Sequence, residues 1–118
     1  MPTILYVEDN FSCVEVVKEI FEYLYNDCTL LTSASVERAL ELLPEDINSI
    51  TATFIDGQLI NSFGWDLAKI LKEKGYTNPI IYIGNKSMPS KKTWNFFDGK
   101  CDKCNDGFRK VLNDILKK

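Results

Sequence analysis

Short apolar runs alternate with helically spaced apolar positions along the whole chain. Ile4-Leu5-Tyr6-Val7 is an apolar run that ends in acids. Residues Phe11 to Tyr25 then carry Val14, Val17, Phe21 and Leu24 at helical spacing, with Asn10 where an N-cap belongs. Thr29-Leu30-Leu31-Thr32 predicts a second short strand, and Val36, Ala39, Leu40 and Leu43 mark a second helix that Pro44 ends. Thr51 to Ile55 predicts a third strand stopping at Asp56; Leu67, Ile70 and Leu71 define a third helix closed by Gly75. Pro79 introduces Ile80-Ile81-Tyr82-Ile83, the clearest buried strand. A polar stretch containing Pro89 follows, where helix signals weaken through Trp94 and Phe97. The segment around Cys101 predicts a fifth strand, and Phe108, Val111, Leu112 and Ile115 a last amphipathic helix.

Continuous apolar strands that alternate with helices imply a parallel sheet covered on both faces. Five such units predict an α/β, doubly wound, five-stranded fold of the flavodoxin-like (βα)5 kind. The functional crevice of such a fold lies at the carboxyl ends of the strands. The residues just after strands one, three, four and five are therefore expected to carry the chemistry.

Composition narrows the picture. A chain of 118 residues holds one domain with a real core, so residues 1–118 are read as a single unit with no separate output domain. A formal charge of −3 argues against nucleic-acid binding, which rests on neutralising phosphates with Lys and Arg. No apolar run approaches the roughly 20 residues of a membrane span, and the first residues lack the regions of a signal peptide. A cytoplasmic protein with no membrane anchor is expected. Histidine is absent, which removes Ser-His-Asp and Cys-His catalysis and imidazole metal ligands. Of the four cysteines, Cys101 and Cys104 form a lone CxxC without the second pair a zinc site needs. Reduced small hydrophobes are the preferred reading of all four.

The predicted strand ends are chemically distinctive. Strand one ends in Glu8-Asp9, strand three in Asp56, strand four in Gly84-Asn85, and Lys103 follows strand five. Three carboxylates at one sheet edge repel unless a cation joins them, and hard oxygen ligands with room for water suit Mg²⁺. A lysine opposite offers a point charge for a phosphoryl oxygen. Flavin or dinucleotide binding is disfavoured, because Val7-Glu8-Asp9-Asn10 would repel a phosphate that approached without metal.

In this pattern the sequence resembles the receiver domain of two-component response regulators over nearly its full length. Ile4 to Asn10 resembles the family's first strand and acidic pair. Phe54-Ile55-Asp56 resembles the phosphoacceptor strand, Gly64 falls where the family has a glycine, and Asn78-Pro79-Ile80-Ile81 resembles the start of strand four. The resemblance implies that Glu8 and Asp9 organise Mg²⁺ together with Asp56 and a backbone carbonyl, that of Gln58. It implies that Asp56 takes a phosphoryl group from a histidine kinase or phosphotransfer protein, and that Lys103 pairs with the transferred group. Lys100 is a rival for that role; Lys103 is preferred because it puts Cys101 at the buried strand position and leaves Asp106 as N-cap of the last helix. The implied output is contact with a separate effector protein, and the domain acts on itself rather than as an enzyme on other substrates.

The departures matter as much. Where the family has a switch threonine or serine after strand four, this chain has Gly84, so no side-chain hydroxyl can follow the phosphoryl group there. The usual strand-five aromatic is Lys100, and the stretch before Lys103 is short, which implies a reduced fourth helix. Asn85 or Ser87 is the candidate to substitute for the lost hydroxyl. The alternative reading is a pseudo-receiver, the same fold used as an interaction module without regulated phosphorylation. Thiol redox chemistry at Cys101 and Cys104 is a poorer third, since strand geometry points side chains three apart to opposite faces.

Overall fold

The computed structural model describes residues 1–59, 62–84, 95–101 and 106–117. Strands β1 (Thr3–Val7), β2 (Thr29–Ser33), β3 (Ala52–Asp56), β6 (Ile80–Ile83) and β7 (Gly99–Cys101) form one sheet in the order β2-β1-β3-β6-β7, every pair parallel. A two-stranded hairpin, β4 (Gln58–Leu59) with β5 (Ser62–Phe63), stands apart from it directly after Asp56. The helices are α1 (Phe11–Leu24), α2 (Val36–Glu41), α3 (Gly64–Glu73) and α4 (Asp106–Leu116). This is the doubly wound flavodoxin-like order, with its topological switch between β1 and β3.

Alternation along the strands divides the core into two layers. Ile4 and Tyr6 of β1, with Phe54 and Ile81, face Val17 and Phe21 of α1 and Phe108 and Leu112 of α4. Leu5 and Val7, with Ile55 and Ile80, face Val36 and Ala39 of α2 and Leu67 and Leu71 of α3. Successive strand residues point to opposite faces, and both faces are covered, so the strands are apolar without interruption. On the first face Phe108 meets Tyr6 and Phe54 edge to face, with centroids 5.6 and 4.9 Å away. Tyr25, just after α1, donates its hydroxyl to Asn113 of α4 and fixes those two helices together.

Local signals account for the element ends. Asn10 caps α1 by accepting from the Cys13 N–H, and Ser35 caps α2 by accepting from the Arg38 N–H. Helix α2 stops at Glu41 rather than at Leu43. The cause is Pro44, which disfavours helical backbone at the residue before it, so the final turn loosens early. Gly75, at φ +91°, closes the segment after α3 in the left-handed region. Phe97 lies outside any helix, in the turn leading to β7. Helix α4 already includes Asp106, which is its first residue rather than its cap.

Cys28 and Cys101 belong to the core, and neither they nor Cys13 forms a disulfide. Among the described residues no helix is long and apolar enough to cross a membrane.

Candidate functional site

Register brings the predicted acids together. Val7 pairs with Ile55, so Glu8 leaves the sheet edge alongside Asp56, the last residue of β3. The Glu8 N–H donates to the Ser33 carbonyl at 2.9 Å, which carries the parallel ladder one residue past β1 and fixes the Glu8 backbone. Glu8 is 1% exposed, Asp56 6%, and Asp9 half-buried. One carboxylate oxygen from each of the three lies within 4.8 Å of the others. Such a cluster of hard, anionic oxygens is the donor set that Mg²⁺ takes, and it leaves sides open for water and a substrate oxygen. The residues present therefore fit a divalent cation. Beside them a pocket of about 190 Å³ opens against Phe11, Val14, Thr32 and Ser33, with Phe11 largely exposed.

Two glycines near Asp56 are required by close approach of their neighbours. A Cβ on Gly64 would stand 2.0 Å from the Asp56 carbonyl oxygen, so any side chain there would push α3 off the acceptor strand. The Gly64 N–H also donates to the Gly57 carbonyl at 3.1 Å, which closes the β4–β5 hairpin around this point. Gly57 faces the Tyr82 ring: a Cβ on it would come within 2.2 Å of Tyr82 Cε2 and 2.6 Å of the hydroxyl oxygen.

Gly84, at the end of β6, has φ +133°, a conformation that L side chains rarely adopt. A Cβ there would stand 3.8 Å from the Tyr82 hydroxyl oxygen and 3.9 Å from Asp56 Oδ1. In the sequence Gly84 stands out for the side chain it lacks and Tyr82 does not stand out, yet the Tyr82 ring and hydroxyl reach the same place. Gly57 was the available signal, since a residue without a side chain beside the acceptor leaves room for a neighbour's. The β4–β5 hairpin was missed too, because two-residue strands carry no periodicity.

Of the other predicted site residues, Gln58 starts β4, two residues after Asp56. Lys100 is exposed in β7 while Cys101 is buried. Lys103 lies outside the described residues, as do Asn85, Ser87, Pro89, Trp94 and Cys104.

No family model matches the sequence, and no curated protein does. Solved structures do. A CheY-like receiver domain from Methylobacillus flagellatus is similar with a TM-score of 0.78 at 25% identity, covering 98% of each chain. A CheY-like response regulator receiver domain protein from Methanospirillum hungatei gives 0.78 at 17% identity, over 99% of this chain and 92% of the other. This chain has the receiver fold. A third receiver domain, that of the Arabidopsis thaliana histidine kinase CKI1, was crystallised with Mg²⁺ and BeF₃⁻; it gives 0.73 at 20% identity over 99% and 91% of the two chains. These matches span the receiver fold from the first strand to the last helix.

Proposed function

We propose that this receiver-fold chain is a response regulator receiver that accepts a phosphoryl group on Asp56 and relays a signal by protein contact. The observation that carries the reading is the meeting of Glu8, Asp9 and Asp56 within 4.8 Å at the carboxyl edge of the sheet. That edge, at the switch between β1 and β3, is where this topology binds ligands. The similarity to receiver structures, one of them of a protein crystallised with Mg²⁺, supports the same reading.

Glu8, Asp9 and Asp56 would hold Mg²⁺, joined by the Gln58 backbone carbonyl. When bound, the ion supplies positive charge that lets a phosphoryl group approach three carboxylates. An Asp56 oxygen attacks the phosphorus of a phosphohistidine on a kinase or phosphotransfer partner. A P–O bond forms as the P–N bond breaks, and the electron pair remains on the imidazole nitrogen, which takes up a proton. Glu8 and the Asp56 backbone are held rigidly by the ladder and by Gly64, so the acceptor is positioned before the donor arrives. Lys103, two residues beyond Cys101 in the sequence, would pair with the transferred oxygens. With a charge of −3, the chain would meet its effector through a protein surface and not through nucleic acid.

A pseudo-receiver is the second reading, and Gly84 favours it: its backbone at φ +133° disfavours the side chain that would carry a switch hydroxyl. Incubation with Mg²⁺ and acetyl phosphate, followed by intact-mass measurement, separates the two. One added phosphoryl group in the parent, lost in Asp56→Asn and without Mg²⁺, is the expected result. Undiminished labelling of Asp56→Asn would overturn the assignment, and no labelling of the parent would favour the pseudo-receiver.

A further inference from the structure

Resting on the reading that Asp56 takes the phosphoryl group, we infer that the Tyr82 hydroxyl is the hydrogen-bond donor that engages that group and begins the conformational response. Tyr82 sits in β6, 4% exposed, and by strand alternation lies on the same side of the sheet as Ile80, which packs in the layer of α2 and α3. Its ring lies over the Gly57 backbone, immediately after the acceptor, where a single Cβ would collide with Cε2, Cζ and the hydroxyl oxygen. The same hydroxyl oxygen and Asp56 Oδ1 lie 3.8 and 3.9 Å from one point, the place of a Cβ on Gly84. Two glycines thus flank the ring, and among the described residues its hydroxyl reaches into the space between residues 57 and 84.

The chemistry follows from the group. A phenol is an O–H donor as well as an acceptor. Phosphorylation adds charge and strong acceptor oxygens at Asp56, to which a donor makes short, strengthened hydrogen bonds. Hydrogen bonds to the phosphoryl oxygens are available only once those oxygens are present, and only differential contacts shift a conformational equilibrium.

Movement of Tyr82 has a route outward. Phe97 meets the Tyr82 ring edge to face, with centroids 5.5 Å apart and an interplanar angle of 79°. The next residue, Asp98, donates its N–H to the Ile80 carbonyl at 2.7 Å and accepts from the Ile80 N–H on its side chain at 2.8 Å. Its carboxylate also lies 3.6 Å from Lys72 Nζ of α3. A tyrosine drawn toward the acceptor would therefore disturb the turn before β7, and with it the exposed edge that bears Lys72, Asp98 and Lys100.

Amide exchange on the full chain, with and without Mg²⁺ plus beryllium fluoride, tests this. Tyr82→Phe keeps the ring over Gly57 and its contact with Phe97 and removes only the hydroxyl. The parent should change protection at residues 8–9 and 56–57 and also at 95–101. In Tyr82→Phe at saturating beryllium fluoride, the change at 95–101 should be lost while that at 8–9 persists. Equal changes at 95–101 in both proteins would overturn the role of Tyr82 and leave Asp56 as acceptor. A parent unchanged at residues 8–9 and 56–57 would overturn both. Fluorine NMR of 3-fluorotyrosine-labelled protein gives a second readout: the Tyr82 resonance, assigned by its absence in Tyr82→Phe, should shift with the mimic, and a fixed resonance would contradict the proposal.

Discussion

At the amino-terminal edge of the sheet, the buried Tyr76 hydroxyl donates to the Ile50 carbonyl at 3.0 Å and accepts from Thr53 Oγ1 at 3.3 Å. Close by, Asn48 Oδ1 accepts from the Thr77 N–H and hydroxyl, while Asn78 Nδ2 donates to the Asn48 and Ile50 carbonyls. At the carboxyl edge of the same strands stand three carboxylates within 4.8 Å of one another. One edge satisfies its polar atoms with neutral hydrogen bonds inside the chain. The other gathers like charges, which destabilises the empty fold and prepares it for a cation. The contrast shows where stability is built and where it is yielded to chemistry, along strands only a few residues long.

The largest effect should come from intruding on the reactive edge. Gly64→Ala places a methyl 2.0 Å from the Asp56 carbonyl oxygen and 2.6 Å from Ile55 Cγ2, and neither can move without shifting β3. A loss of about 3 kcal/mol or more is expected, read from the urea midpoint. Gly75→Ala is the control, because a Cβ there meets nothing within 4 Å and only the positive φ opposes it, at a cost of about 1 kcal/mol. Equal losses at the two glycines would deny any special closeness at Asp56.

The next effect belongs to the structural edge. Burial above all, with the Asp98 charge adding and the Thr53 hydrogen bond opposing, pushes the Tyr76 phenol up to about 12 from 10.0. Because the folded state favours the neutral phenol, its contribution is complete below pH 10 and is lost as pH rises from 10 through 12. The parent should shed up to about 3 kcal/mol over that window from this group. Tyr76→Phe should lack that component of the alkaline loss, and should be about 1–2 kcal/mol weaker at neutral pH because the Thr53 hydroxyl loses its buried partner. Denaturant midpoints at pH 7 and pH 11 check both halves; a parallel alkaline decline in parent and variant would refute the second.

Much of this is legible in the sequence. The strands are covered on both faces and short, so Ile4–Val7 and Ile80–Ile83 stand out as unbroken apolar runs, and parallel order then puts Glu8, Asp9 and Asp56 at one edge. Proximity in such a fold follows from topology, which apolar patterning reveals. The reach of a side chain does not. Tyr82 read as one more apolar residue of a buried strand, because its importance depends on Gly57 and Gly84 lying on either side of it in space. The β4–β5 hairpin and the early end of α2 were likewise set by close packing and by Pro44, beyond what periodicity records.

The smallest effect is the most direct test of the central claim, that the carboxyl edge is a cation site held at an electrostatic cost. Melting the parent and Asp56→Asn with and without Mg²⁺ measures it. Removing one of the clustered charges should stabilise the metal-free fold by about 1 kcal/mol, a rise of about 3–5 °C. Mg²⁺ should raise the melting point of the parent and raise that of Asp56→Asn far less. A parent whose melting point ignores Mg²⁺, together with an Asp56→Asn variant no more stable than the parent without metal, would contradict the account.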